Sequence, residues 1–360
     1  MRKMVEVTLE NVTMVYSKEV RALDDINWTV PDKTINGLLG PSGCGKTTLM
    51  NIIAGLLKPT KGKVLFDGKD VTDLTPQERN VCMIFQKPVV YPYMTVYENI
   101  SFPLKNMKTP MNVIKERVYR ILEFLHLDDQ AGVKAGKLSL GDQQKVSLGR
   151  VLVRENPCAI LLDEPLTNIE PERRPELRIL LKEAIKEFTT TMIFVTHDQS
   201  EALTVADKIA VMKNGRILQF STKEELFEHP KHTFIGFFIG SPGMNFINCS
   251  IHGDLLDFQE FTTPIPNRAK ALKLEGDGFQ IGIRPEYVQV NKKERKDWIK
   301  FNVKAVRFAG NILIATINKG EIEIRCSLPI GFNIKEEDKV WVSFPEDKIR
   351  IYNNKGELLI

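Results

Sequence analysis

The octet GPSGCGKT, Gly40 to Thr47, has the residue types and spacing to hold phosphate. Its glycines let backbone N–H groups turn inward around anionic oxygens. Lys46 offers an ammonium that reaches the β- and γ-phosphates of a nucleotide, and the Thr47 hydroxyl can ligate Mg²⁺. A helix starting near Lys46 adds the positive end of its dipole. Gly40, Pro41, Ser42, Gly43, Cys44, Gly45, Lys46, Thr47 and Thr48 are therefore candidate phosphate-binding residues. Cys44 is either a tolerated variable position or a redox-sensitive thiol.

Two further stretches supply acids and a base. AILLDEP ends an apolar run at Asp163, which puts a carboxylate at the carboxyl edge of a buried strand, where α/β proteins bind ligands. Asp163 is expected to hold Mg²⁺ through water, and Glu164 to polarise the attacking water. Phosphoryl transfer asks mainly for such positioning and charge stabilisation. TMIFVTHD ends a second apolar run at His197, a candidate donor to the γ-phosphate that keeps Glu164 and the water in register.

The elements that must position these groups are legible from periodicity. Ile35–Leu39 reads as a buried strand, and Leu49, Ile52, Ile53, Leu56 and Leu57 fall at helical spacing, with Pro59 as the stop. Residues 1–36 hold short β-type runs with a Pro31-Asp32 turn. VIKERVYRILEFLHL and LGDQQKVSLGRVLVREN read as amphipathic helices of a subdomain at about 87–156. AILLD and TMIFVTH are continuous apolar runs, as expected of strands buried on both faces of a parallel sheet. KIAVMKNGRILQF reads as a hairpin turning at Asn214-Gly215. After about residue 238 the runs become β-type, which suggests a small barrel or sandwich. The expected organisation is an α/β domain over 1–238 and an all-β domain over 239–360.

The chain has 360 residues, 42% hydrophobic and 27% charged, enough apolar content for two ordinary cores and unlike a disordered chain. Net charge is +4, and the densest basic run, KKERKDW at 292–298, is broken by Glu294 and Asp297. It reads as a solvated turn, so no nucleic-acid partner is expected. Five cysteines without a C-x-x-C spacing argue against a disulfide framework or zinc site and favour a reducing compartment. No signal-peptide apolar region and no membrane-length apolar stretch is expected, so service to a membrane would come from its cytoplasmic face.

With these residues assembled, the chain resembles the ATP-binding-cassette (ABC) family of transport ATPases, most of all the maltose- and glycerol-phosphate-importer ATPases with an appended β domain. The resemblance spans nearly the whole chain. It implies a P-loop NTPase fold with a helical subdomain, followed by an OB-like (TOBE) regulatory domain. It also implies ATP and Mg²⁺ as cofactors. Tyr16 matches the aromatic that stacks on adenine. Gln86, in MIFQKPVVYPYMTVYENI, matches a glutamine that touches metal and water and reports to the membrane subunits. Val89, Val90, Tyr91, Pro92 and Tyr93 are candidate permease contacts, although core burial could equally explain any one of them. The implied partners are two integral-membrane permease subunits, a second ABC ATPase subunit and, indirectly, an extracytoplasmic solute-binding protein. The implied activity is ATP hydrolysis driving import, with a carbohydrate or a polyol such as glycerol as the leading cargo. A polyamine or inorganic-ion importer with a homodimeric ATPase is an alternative. A soluble ABC ATPase acting on ribosomes or DNA is the alternative of another class. It is disfavoured by the single phosphate loop and the absence of sustained heptads.

The chain departs from the family in KLSLGDQQK, residues 137–145, where the family reads Leu-Ser-Gly-Gly-Gln. In the family this signature acts on the nucleotide of the facing subunit, so Ser139 and Gly141 are expected to face the partner's ATP. Leu140 adds a side chain where glycine permits close backbone approach. Asp142 brings negative charge toward a triphosphate, unfavourable unless it is screened or turned away. Glu170 stands where the family has aspartate, and Pro171 and Pro175 are expected to interrupt the next helix start. The residues for this chain's own ATP match the family, whereas those lent to a neighbour do not. The expectation is a heterodimer with a non-identical cassette; a homodimer tolerating the substitutions is the alternative.

Overall fold

The computed structural model describes residues 5–17, 20–155, 157–188 and 190–360. The chain forms two compact units that divide between Lys223 and Glu224. The division falls ahead of the 238/239 boundary expected from the loss of helical pattern, because the short helices at 223–228 and 233–238, all but Lys223, belong with the second unit.

In the first unit, β1 (Val7–Ser17), β2 (Val20–Val30) and β3 (Ile35–Leu39) precede α1 (Lys46–Ala54). Then come β4 (Lys61–Phe66), β5 (Lys69–Asp70), α2 (Pro76–Arg79) and β6 (Val81–Ile84). Three helices follow without an intervening strand: α3 (Val96–Asn106), α4 (Met111–Leu125) and α5 (Leu140–Leu152). They occupy the expected helical subdomain, whose expected end at 156 lies outside the described residues. The unit closes with β7 (Ala159–Asp163), α6 (Arg174–Phe188), β8 (Met192–Thr196), α7 (Gln199–Val205), β9 (Lys208–Lys213) and β10 (Arg216–Thr222).

A six-stranded sheet runs in the order β10-β9-β3-β8-β7-β6. It is parallel except for the β9–β10 hairpin at its edge. Every residue of β3 and β8 is buried, as the uninterrupted apolar runs require of strands covered on both faces. A four-stranded antiparallel sheet, β2-β1-β4-β5, shares a core with α1 through Val7, Leu9, Ile26, Leu49, Ile52 and Ile53.

Helix α1 ends at Gly55 in the left-handed conformation, ahead of the stop expected at Pro59. Leu56 consequently lies outside the helix and is exposed. Pro175 does not interrupt α6. It sits in the first turn, where a missing N–H costs no intrahelical bond.

The second unit carries two five-stranded antiparallel sheets over a common core that includes Ile251, Ile281, Phe301, Ile317 and Val340. Asn245, at the start of a strand in one sheet, donates to Arg325 O and accepts from Arg325 N in the other, both at 2.8 Å. Arg284 is nearly fully buried, stacks on the Phe227 ring and donates to the carbonyls of Phe227, Gly236 and Ile239. Burial lowers its pKa to about 10, which leaves it charged at neutral pH.

Candidate active site

Three neighbouring strands of the parallel sheet, β3, β8 and β7, deliver the candidate residues to one edge. The chain leaves β3 into the phosphate loop, β8 ends one residue before His197, and β7 ends on Asp163. Parallel strands release their carboxyl ends on the same side, so residues more than 100 positions apart meet there.

The loop between β3 and α1 is shaped by close approaches that only glycine permits. A Cβ on Gly45 would lie 2.5 Å from Ala22 O, and the residue has φ +108°. One on Gly40 would lie 2.4 Å from Met212 O. Lys46 is 6% exposed and donates to the Gly40 and Pro41 carbonyls at 2.8 and 3.0 Å. Its ammonium is therefore held across the loop it closes. Cys44 is buried, and burial pushes its thiol above the usual range despite the Lys46 charge. Of the two readings open for Cys44, the redox-sensitive one loses support, since a buried neutral thiol is a poor nucleophile.

A cleft of about 550 Å³ opens beside the loop. Tyr16, Ser42, Gly43, Gly45, Lys46, Thr47, Thr48 and Glu164 line it, all expected from the sequence. Tyr16 is 55% exposed, and its hydroxyl lies 3.3 Å from Thr48 Oγ1. Val20, Arg21, Ala22, Asn214 and Gly215 also line the cleft and were not foreseen. The Asn214-Gly215 turn was legible only as a hairpin. Its second role arises because Gly215 N donates to Cys44 O and Gly215 O accepts from Asp24 N. Arg21 and Arg216 both pair with Asp24, Arg216 first among the causes that lower that carboxyl's pKa.

Glu164 is the best-organised acid in the cleft. Its Oε1 lies 3.0 Å from His197 Nδ1, and its Oε2 accepts from Thr167 Oγ1 at 3.3 Å. Its backbone N–H donates to Val195 O, and its φ of +47° is a left-handed value that a non-glycine residue adopts at a cost. Asp163 beside it is held above the ordinary carboxylate range, chiefly by burial and then by the Glu164 charge, with Lys46 opposing.

Gln86 stands apart. It is exposed and outside the cleft lining, and its carbonyl accepts from Asn168 Nδ2 at 3.0 Å. The segment after it is fixed through its backbone, with Val89, Tyr91, Pro92 and Tyr93 exposed and Val90 half-buried. Asn99 bonds the Tyr91 N–H and carbonyl, and Ser147 Oγ accepts from Val89 N. Val89, Tyr91 and Tyr93 remain 51%, 39% and 87% exposed. Ser139 caps α5, and Gly141 is buried in the first turn of that helix. Among the described residues, no group of three or more His, Cys, Asp or Glu side chains could hold a metal.

Residues 23–167 match the ABC transporter family, and residues 240–288 match the MalK OB fold domain. The oligosaccharides import ATP-binding protein MsmX of Bacillus subtilis is 34% identical over 365 positions, covering 99% of this chain and all of that protein. The chain belongs to the ATP-binding proteins of ABC transporters. The sn-glycerol-3-phosphate import ATP-binding protein UgpC of Brucella abortus is 37% identical over 85% of each chain. Among solved structures, the ATP-binding cassette MJ1267 in its ADP conformation aligns with a TM-score of 0.56. It is 30% identical and covers 64% of this chain and 97% of that one. CbiO1 of Clostridium perfringens, part of a cbiONQ transporter complex, aligns at 0.58 with 30% identity, covering 62% of this chain and 91% of that one. As an ABC ATPase, the chain binds and hydrolyses ATP in service of transport, with an OB-type domain following its cassette.

Proposed function

We propose that the chain is the motor subunit of an importer for a carbohydrate or a polyol such as glycerol or its phosphate, working against the cytoplasmic side of a membrane permease. The observation that carries the catalytic part is the 3.0 Å contact from His197 to Glu164, which lines the cleft together with Lys46. Glu164 takes the proton of the attacking water, and His197 holds Glu164 in place and donates toward the γ-phosphate. The loop amides and Lys46 bind the β- and γ-phosphates, and Tyr16 stacks on the base. Thr47 and Asp163 would hold Mg²⁺, with Gln86 joining from the edge of the helical subdomain. The fit rests on the donors themselves: an exposed hydroxyl in the cleft and a partly buried carboxyl that burial and a neighbouring acid leave short of positive charge. Bound Mg²⁺ supplies neutralisation of the phosphate charge.

The exposed apolar side chains of Val89, Tyr91 and Tyr93, on a backbone anchored by Asn99 and Ser147, suit a permease-docking surface. Their exposure favours this over the core-burial alternative. The cargo assignment draws on the similarity to MsmX, an oligosaccharides import protein, and UgpC, an sn-glycerol-3-phosphate import protein. Pairing with a non-identical cassette is supported by the departures at Leu140, Asp142 and Glu170. The test is ATP-dependent uptake by the full transporter in vesicles, offering an oligosaccharide, glycerol and sn-glycerol-3-phosphate in turn. Uptake of one of these that stops with Glu164→Gln supports the reading. Uptake of a polyamine or inorganic ion alone contradicts it.

A further inference from the structure

Ser139 has one O–H to donate and two lone pairs to accept with. All three are used inside this chain. The hydroxyl donates to Asp142 Oδ2 at 2.7 Å and accepts from the Asp142 N–H at 3.2 Å and from Arg173 NH1 at 2.9 Å. The same Arg173 nitrogen lies 3.0 Å from Asp142 Oδ2, so serine, aspartate and arginine close a ring. Gly141 is covered as well. A Cβ there would meet Arg173 Cδ at 3.1 Å, so the arginine stem lies across the residue. The second Asp142 oxygen is 3.9 Å from Lys145 Nζ, which is itself bound to Glu176 at 2.5 Å. The charge of Asp142 is thus screened by its own neighbours, and Ser139 is tied to them.

We propose that Asp142 and Arg173 form a latch that keeps the Ser139 hydroxyl and the Gly141 surface engaged within their own chain. The signature is thereby a weak helper of the facing nucleotide until Arg173 moves aside. Both are positioning residues, since they act through Ser139. Arg173 is reachable from outside the latch: its side chain is 44% exposed and comes from the segment between Glu164 and α6. The inference rests on the family reading that this signature serves the nucleotide of a facing cassette.

The test is steady-state turnover of Mg·ATP by the full-length chain assembled with its permease and partner cassette. Asp142→Asn keeps the size of the side chain and removes the carboxylate that holds both Ser139 and Arg173. It is expected to raise kcat about tenfold, roughly the effect of one such interaction on a barrier, with KM for ATP within about twofold. Adding Ser139→Ala to Asp142→Asn should remove that gain, which a merely structural role of Asp142 would not produce. Arg173→Ala leaves the helix cap intact and should raise kcat in the same direction, so the test survives a poorly folded Asp142 variant. No gain from either substitution in a folded chain overturns the latch, as does a gain that persists without Ser139. Turnover that survives Glu164→Gln in this chain combined with loss of the corresponding acid in the partner cassette would instead mark failure of the catalytic reading on which the latch rests.

Discussion

The phosphate-loop side of this cassette and its signature side are built on opposite plans. On the first side, backbone close approaches fix the geometry. Gly40 and Gly45 admit no Cβ, Lys46 is tied to two carbonyls, and Glu164 is held by His197 and Thr167. Its functional groups still face an open cleft. On the second side, flexible charged side chains set the arrangement, and the groups that would face a partner are turned onto each other. One chain can thus keep its own hydrolytic half poised while the half it lends out is restrained.

The largest effect that could break this comparison is expected at Lys46. Lys46→Ala should weaken Mg·ATP binding by more than about 100-fold, because a charge-assisted contact to phosphate is lost along with the loop closure it provides. Fluorescent-nucleotide titration measures this, and near-normal affinity would show that the loop is not the nucleotide site. Next comes the buried Arg79, whose guanidinium donates to Ile52 O, Ile53 O, Leu74 O and Thr72 O at 2.7–3.0 Å and so fixes the far end of α1. Arg79→Met leaves those acceptors without their donor at roughly 1–3 kcal/mol for a buried unsatisfied group. The melting temperature of the first unit should fall by ~5 °C or more.

Glycine substitutions sharpen the contrast. Gly45→Ala meets backbone at 2.5 Å in a left-handed conformation, whereas Gly141→Ala meets the movable Cδ of Arg173 at 3.1 Å. Gly45→Ala should therefore lower the melting temperature several times more than Gly141→Ala. Similar shifts would mean that the two sides are equally rigid.

A smaller effect, of opposite sign, is expected at Asp163. Its folded pKa is raised, so the ionised carboxyl destabilises the fold at pH values above its folded pKa. That penalty fades as pH falls from the folded pKa toward the unfolded carboxylate value, and it is gone below the latter, where both states are protonated. Asp163→Asn should then raise the melting temperature by a few degrees, ~2–4 °C, at pH 7 and by nothing near pH 3, while lowering turnover. The smallest effect is at Cys44. Maleimide at pH 7 should leave ATP turnover nearly unchanged over minutes, because the thiol is buried and neutral.

Much of this is legible in the sequence. The phosphate loop, the buried strand ending at Asp163 and the β9–β10 hairpin carry local signals of spacing and periodicity and form where those signals put them, and the strand expected to end at His197 stops one residue earlier, at Thr196. What escaped was non-local. The part of Arg21 and Gly215 in the cleft depends on two turns distant in sequence meeting at the loop. The division at 223/224 depends on which unit two short helices pack with. Whether the Asp142 charge is screened is not legible locally, because its screen, Arg173, stands 31 positions away and meets it only when the α5 and α6 starts pack side by side. Helix α1 was read too long because Leu56 and Leu57 keep the period, while the Gly55 backbone ends the helix first.

The central claim is that one half of this chain's ATP machinery is poised and the other restrained, and it predicts opposite signs from two acid-to-amide changes. In the assembled transporter, with one preparation per variant, ATP turnover at this chain's own site should fall by about 100-fold or more with Glu164→Gln. Total turnover should rise with Asp142→Asn. Loss of turnover with both, in folded protein, would contradict the account, because Asp142 would then be a working part of the signature and not its restraint.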